Sequence, residues 1–210
     1  DATGGGLSKR TGALSIASLR DSGVEAMAVA SLAVLTGTSD EVHATTSLVE
    51  LAQSFDLAHI SRNSAKFDPE DLRALTQRTL HRFGFEDVRE RLAAHDIVGA
   101  RAEAFWLAVR GNLDTFLDVV GWWRIVEGEI EPIVEDAEFC REAAKLLPAE
   151  PFDDATWVAW TGAVKAATGR KGRALFHPLR LALTGRENGP ELTKLLPLIG
   201  RARAASRLGA

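Results

Sequence analysis

The chain contains 210 residues, 46% of them hydrophobic, and its formal net charge at pH 7 is −4. It has no run of about 18 apolar residues and no charged segment leading into an apolar one, so we expect neither a membrane-spanning nor a secreted protein. The single cysteine, Cys140, rules out an internal disulfide and is expected to be a small buried hydrophobic residue. These features fit a reducing compartment, and we expect a cytoplasmic protein.

The C-terminal part of the chain differs in charge from the rest. From Thr161 to Ala210 there are ten Lys or Arg residues against two acidic residues, which gives a net charge of +8. Because the whole chain carries −4, residues 1–160 carry −12. This asymmetry predicts a surface that faces a polyanion, although a solvated basic helical surface fits the charge equally well.

Residues 1–12 form a glycine-rich basic segment, DATGGGLSKRTG. Three consecutive glycines permit a close backbone approach, and Ser8, Lys9 and Arg10 add a hydroxyl and two cations, so the segment could contact phosphates. Its spacing is not that of a Walker loop, and flexible basic loops without a phosphate are common. Since the chain opens at Asp1 directly before this loop, we interpret it as a piece of a longer protein.

Start and stop signals predict a series of helices after this loop. Ser22 and Glu25 have the spacing of a capping box, and Asp68-Pro69 combines a cap with proline at the first helical position. One face of the helix that begins at Asp68 carries Leu72, Leu75, Thr79 and Phe83. The segment IVEGEIEPIVED is interpreted as a loop, and further helices are predicted at about 85–94, 97–110 and 136–147.

Several residue types are interpreted as structural. Helical tryptophans more often fill a core than stack on bases, and we favour the core for Trp106, Trp122, Trp123, Trp157 and Trp160. An acidic loop is expected to be a solvated surface rather than an acid–base pair at Glu127, Glu129, Glu131, Glu135 and Asp136. The five histidines lack the spacing of metal ligands, so no metal site is expected.

After a proline-containing connector at 147–151, the chain is predicted to form a last cluster of helices, two of them ended by Gly169 and Gly185. On the helix before Gly185, three leucines share a face, which leaves Arg180 at its edge with the guanidinium facing outward. An arginine fork beside an apolar surface can read an unstacked base. The alternative is that Arg180 pairs with a nearby acid such as Glu187 and only stabilises the fold.

Three segments resemble glutamyl-tRNA synthetases of the bacterial, alphaproteobacterial type. Gly6 to Arg10, GLSKR, is similar to the KMSKS loop of class I aminoacyl-tRNA synthetases, with glycine in place of the first lysine. The segment LVELAQSFDLAHISRNSAKFDPEDL resembles the stem-contact region, with family residues at Phe55, Asp56, Leu57, Phe67 and Asp68. GRKGRALFHPLRLALTGRENGPELTKLLPLIG resembles the C-terminal anticodon-binding domain.

This resemblance implies an all-α fold made of a stem-contact helical segment and two helical anticodon-binding subdomains. The implied boundaries are 1–12 for the KMSKS-type loop of a missing catalytic domain, 13–86 for the stem-contact domain, and 87–148 and 149–210 for the two subdomains. The chain would then be the C-terminal part of a glutamate–tRNA ligase and inactive on its own.

The resemblance also implies the roles of particular residues. Lys9 would be catalytic, and Ser8, Lys9 and Arg10 would bind ATP. The anticodon pocket would contain Arg180, Gly189, Pro190 and Leu192. The tRNA backbone would contact Arg170, Lys171, Arg173 and Lys194. Apart from the resemblance, Arg207 is expected to contact tRNA without reading the anticodon, so that its loss would weaken cognate and variant tRNA alike.

The implied partners are tRNA-Glu, glutamate and ATP with Mg²⁺ in the intact enzyme, which is expected to be a monomer away from membranes. Whether tRNA-Gln is also charged stays open, and no cofactor is expected on this chain alone. Two other classes remain: a helical RNA-binding or scaffold module without ligase activity, and an unrelated ATP-dependent enzyme that uses the glycine loop. The missing Walker spacing and the lack of a βαβ pattern count against the second.

Overall fold

The computed structural model describes residues 15–61 and 68–209, so the predicted loop at 1–12 and the family position Phe67 lie outside the described residues. Within these two ranges the chain forms α-helices and no strand, apart from one isolated antiparallel bridge between Thr38 and Ile60. The predicted all-α fold is therefore confirmed. The helices are Ile16–Asp21 (α1), Ala26–Leu35 (α2), Leu48–Ser54 (α3), Pro69–Arg82 (α4), Phe85–Ala93 (α5), Ala102–Val109 (α6), Asp118–Glu127 (α7), Ala137–Lys145 (α8), Thr156–Thr168 (α9), Arg173–Thr184 (α10), Leu192–Ile199 (α11) and Arg201–Arg207 (α12).

The described residues divide into two compact units. Unit 1 comprises the described part of Asp1–Arg91 together with Arg110–Asp118, and unit 2 the described part of Leu92–Val109 and Val119–Ala210. The domain boundaries implied by the family resemblance stay a prediction. No helix among the described residues is long and apolar enough to cross a membrane.

Unit 1 is built around the packing of α2 on α4. Apolar residues of both helices are buried in one cluster with Leu19 of α1 and Ala44 of the segment after α2. Its buried members are Leu19, Ala28, Leu32, Ala44, Leu72 and Leu75. The cap at Asp68 is confirmed, because its carboxylate accepts a hydrogen bond from the Glu70 N–H at 2.9 Å and Pro69 follows at the first helical position.

The predicted capping box at Ser22 and Glu25 is wrong. Ser22 ends α1 instead, and its hydroxyl donates to the Leu19 carbonyl. Glu25 precedes α2 without capping it, because its carboxylate accepts two hydrogen bonds from Arg91 at 2.7 and 3.0 Å. A partner 66 positions away in the chain outweighs the local capping bond, which the sequence spacing alone could not show.

The sequence also failed to predict α7. Gly121 lies inside this helix, and glycine, like the neighbouring tryptophans and valines, has lower helix propensity than alanine, so the local signal is weak. Packing stabilises it, since Val119, Trp122, Ile125 and Val126 form one buried face. Unit 2 then continues through α8, where Asp136 caps the helix by accepting from the Phe139 N–H, and through α9 to α12.

The helix ends in unit 2 follow the predicted glycines. Gly169 and Gly185 take left-handed conformations after α9 and α10, with φ of 68° and 65°. The preference for tryptophans in the core holds for three of them, because Trp106, Trp122 and Trp160 are buried. The other two, Trp123 and Trp157, are only partly buried.

Candidate nucleic-acid interface

The basic C-terminal part of unit 2 contains a small open pocket of about 300 Å³. It lies where the start of α9, the middle of α10 and the start of α11 meet. Its walls combine two aromatic rings with a cation, an acid, an aliphatic residue and a hydroxyl, from Trp157, Phe176, Arg180, Glu191, Leu192 and Thr193. This composition suits a flat ligand with polar edges better than a metal ion or an aliphatic chain.

Arg180 is the half-buried cation of this pocket. Its Nη2 donates to the Pro190 carbonyl at 3.1 Å, while its Nη1 is buried and has no hydrogen-bond partner among the described residues. Burial lowers the pKa of Arg180. The described residues show no ion pair with Glu187, so the pairing considered for Arg180 in the sequence is not formed.

The unpartnered Nη1 is unusual, because buried donors in folded proteins nearly always have an acceptor. Because this atom is buried, the acceptor of a ligand would reach it only after the guanidinium turned toward the pocket. The expectation of an outward-facing guanidinium therefore needs refinement, since Arg180 lines the pocket while its Nη1 is buried and the Pro190 carbonyl holds its Nη2.

The aromatic wall was not predicted as part of the site. Phe176 precedes Arg180 by one helical turn, and its side chain is 44% exposed. Trp157 lies beside it, with ring centroids 6.1 Å apart and planes tilted by 37°. Trp157 also packs edge to face against Trp160, with the two ring centroids 5.6 Å apart. A phenylalanine four positions before the predicted arginine was the signal available in the sequence.

The other predicted pocket residues contribute in different ways. Leu192 is buried and lines the pocket, and Pro190 is buried and supplies the carbonyl that holds Arg180. Gly189 packs against the indole ring of Trp122, and no side chain would fit there. The guanidinium of Arg186 also lies over the Trp122 ring, 4.4 Å from its centre.

Arg207 is not a surface contact, and the expectation that it binds tRNA directly is wrong. It is 5% exposed, and its guanidinium donates to the carbonyls of Leu183, Ile125 and Gly128 at 2.7–3.0 Å. Those carbonyls belong to the C-terminal ends of α10 and α7, where peptide carbonyls lack helical partners and favour a cation. Arg207 therefore joins two helix ends within the fold.

Other cations of the basic segment are bound to acidic partners. Arg170 forms an ion pair with Asp136 at 2.5 Å and lies over the ring of Phe139. Lys194 pairs with Asp154, and Arg203 pairs with Glu127 at 2.8 Å. The net charge of +8 therefore overstates how much of this segment is free to meet a polyanion.

The remaining predicted backbone contacts are better placed for an external anion. Lys171 and Arg173 are exposed on either side of Gly172, where α10 begins, and Lys165 is exposed near the end of α9. The described residues offer these three side chains no ion pair. They are the cations of the basic segment most available to phosphates.

No cluster of metal-ligating side chains is found among the described residues. The predicted catalytic Lys9 and the predicted ATP contacts Ser8 and Arg10 lie outside the described residues. The described site is thus a pocket with a donor fork and an aromatic wall, bordered by surface cations.

Residues 134–210, which contain all of this pocket, match the family described as "Anticodon binding domain". The helical fold and this match together define the C-terminal part of the chain as an anticodon-binding domain.

Relatives and solved structures extend the identification over nearly the whole chain. It is 62% identical over 207 residues to glutamate–tRNA ligase 2 of Beijerinckia indica, covering 99% of this chain and 46% of that protein. It is 57% identical over 209 residues to glutamate–tRNA ligase 1 of Brucella canis, covering 98% of this chain and 46% of that protein. A glutamate tRNA ligase crystal structure from Elizabethkingia meningosepticum has the same fold, with a TM-score of 0.75 at 20% identity over 97% of this chain and 47% of that one.

The chain is therefore homologous to the C-terminal half of glutamate–tRNA ligases, and the resemblance stated from its motifs is confirmed. It spans about half the length of the curated relatives it matches.

Proposed function

We propose that this chain is the tRNA-binding part of a glutamate–tRNA ligase and that the pocket around Arg180 receives an anticodon base. The observation that carries the proposal is the open pocket inside the anticodon-binding domain, which Arg180 lines with a guanidinium whose Nη1 has no acceptor among the described residues. Bases of an RNA loop carry acceptors on their edges, so a base in the pocket would offer the Arg180 guanidinium an acceptor.

Each pocket residue has a different role in the proposed recognition of a base. Arg180 presents a planar fork that the Pro190 carbonyl holds in one orientation, so little freedom is lost when a base binds. Leu192 offers an apolar contact, and Gly189 lets the turn before α11 pack closely enough to place the Pro190 carbonyl. Outside the pocket, Lys171 and Arg173 would contact phosphates without reading sequence, and Arg170 and Lys194 could do so from within their ion pairs.

For the whole protein we propose the ATP-dependent attachment of glutamate to tRNA-Glu in the cytoplasm, by a monomeric enzyme that uses Mg²⁺. Lys9 would stabilise charge as pyrophosphate leaves, with Ser8 and Arg10 holding the loop near the nucleotide. The chain of 210 residues alone should exchange no pyrophosphate with ATP. Pyrophosphate exchange by the purified chain would contradict the proposal that glutamate activation needs a catalytic domain outside this chain.

The test of RNA binding uses the 17-nucleotide anticodon stem–loop of tRNA-Glu, about the size that a single domain can cover. The chain should bind this RNA more tightly than a hairpin with the same stem and a loop of unrelated sequence. Equal affinity for both hairpins would refute anticodon reading. A parallel titration with the tRNA-Gln stem–loop decides whether that tRNA is accepted as well.

A further inference from the structure

We propose that Phe176 and Trp157 form a stacking surface on which one unpaired nucleotide base lies flat while its edge meets Arg180. This inference rests on the proposed anticodon function and adds a second mode of contact to it. It also revises the role expected for Trp157, which the sequence favoured as a core residue.

The exposure of the two rings supports a ligand-facing role. Phe176 is 44% exposed although a buried phenylalanine would contribute far more to stability, and Trp157 is only partly buried. Their neighbour Trp160, in contrast, is 1% exposed, and its indole N–H donates to the Ala143 carbonyl at 2.9 Å. Trp160 therefore anchors the core, while Phe176 and Trp157 remain at the mouth of the pocket.

The geometry of the pocket favours a flat ligand with polar edges. Phe176 and Arg180 are four residues apart on α10, so the ring and the guanidinium lie on the same face, one turn from each other. A base resting against the ring can bring an edge acceptor to the guanidinium of Arg180, which lines the same pocket. An aliphatic ligand would offer the guanidinium no acceptor, and a protein helix would not fit a pocket of about 300 Å³.

Stacking and edge reading make separate contributions to binding. Every base has an aromatic face, so stacking tolerates sequence, whereas the hydrogen bonds of Arg180 depend on the edge. Loss of the ring should weaken binding to any base at that position. Loss of Arg180 should instead remove the preference for one base over another.

The test is a cycle between the variant Phe176→Leu and an abasic nucleotide, placed in turn at each of the three anticodon positions of the tRNA-Glu stem–loop. Leucine keeps an apolar side chain but removes the flat ring. Phe176→Leu should weaken binding of the intact RNA roughly 5- to 150-fold, the range of one base–aromatic stack. For one of the abasic RNAs the same substitution should have little effect, because the base that stacks is already missing.

Three control variants separate stacking from folding and from edge reading. Phe176→Trp keeps a flat ring and should retain the affinity, and Val158→Ala removes a 66% exposed apolar side chain outside the pocket and should change nothing. Equal weakening of the intact RNA and all three abasic RNAs, or no weakening at all, would overturn the stacking surface. Arg180→Ala is assayed alongside, and if it kept full base discrimination the proposed anticodon function would fail instead.

Discussion

Gly189 lies directly against the indole ring of Trp122. A Cβ atom at position 189 would come within 2.1 Å of Cη2 of Trp122, and the glycine has a φ of 145° that side chains rarely adopt. The ring thus supports the turn between α10 and α11, from which the Pro190 carbonyl reaches Arg180. Packing against Trp122 therefore explains why position 189 is a glycine, without any contact with RNA.

Gly189→Ala should lower the free energy of unfolding by about 2–4 kcal/mol, from backbone strain and the clash with Trp122. Urea denaturation monitored by tryptophan fluorescence measures this loss. Gly162→Ala is the matched control, because Gly162 lies inside α9 with nothing near its Cβ position and should gain about 0.5–1 kcal/mol. Similar small effects from both substitutions would contradict the packing of Gly189 on Trp122.

Arg207→Ala should be strongly destabilising, because it leaves three buried carbonyls at the ends of α7 and α10 without a donor. We expect a loss of about 2–4 kcal/mol in the free energy of unfolding. Lys165→Ala, at an exposed cation of the same charge, should stay within about 0.5 kcal/mol of the parent chain. If Arg207→Ala were as stable as the parent chain but bound tRNA more weakly, this result would indicate a direct contact between Arg207 and tRNA and would contradict its structural role.

Salt dependence measures how many cations of the basic segment meet phosphates. If Lys165, Lys171 and Arg173 are the ones available, their contribution to the slope of log K against log salt should be about −2 to −3. Replacing all three with alanine should flatten the slope by that amount in a fluorescence titration of tRNA. Arg203→Ala, which removes a cation already paired with Glu127, should change the slope much less.

Acid should weaken unit 2 through Asp136. The pKa of this carboxyl is lowered, first by the hydrogen bond from the Phe139 N–H and next by the Arg170 side chain. A group with a lowered folded-state pKa contributes stability above its usual value of 3.8, and that stability is lost as the pH falls through the lowered pKa. Asp136→Asn should therefore show a shallower fall in the unfolding free energy between about pH 5 and pH 2. An unchanged pH profile would mean that Asp136 has no part in acid unfolding.

The features that could be predicted from sequence depend on neighbours in the chain. Asp68 and Pro69 begin α4, and Gly169 and Gly185 end α9 and α10, because caps and left-handed turns act within a few residues. Arg207 was misassigned because its partners lie 24 or more positions away and are backbone carbonyls, which leave no mark in the sequence.

The aromatic part of the pocket escaped prediction for a related reason. Apolar spacing places Phe176 and Trp157 on helices, but it does not show which side of a helix the neighbouring helix covers. Only the packing of α9, α10 and α11 leaves these two rings at a pocket. Arg180 could be named in advance because its family pattern is local, whereas its held orientation depends on the Pro190 carbonyl ten residues later.

The most direct test of the central claim compares Arg180→Ala with Lys171→Ala on tRNA-Glu and on a variant with one anticodon base replaced. Arg180→Ala should cost roughly 1–3 kcal/mol on the cognate tRNA and remove most of the discrimination against the variant, as loss of a bidentate base contact does. Lys171→Ala should weaken both tRNAs alike and leave discrimination intact. Equal weakening of the two tRNAs by Arg180→Ala, with discrimination kept, would exclude Arg180 from base reading.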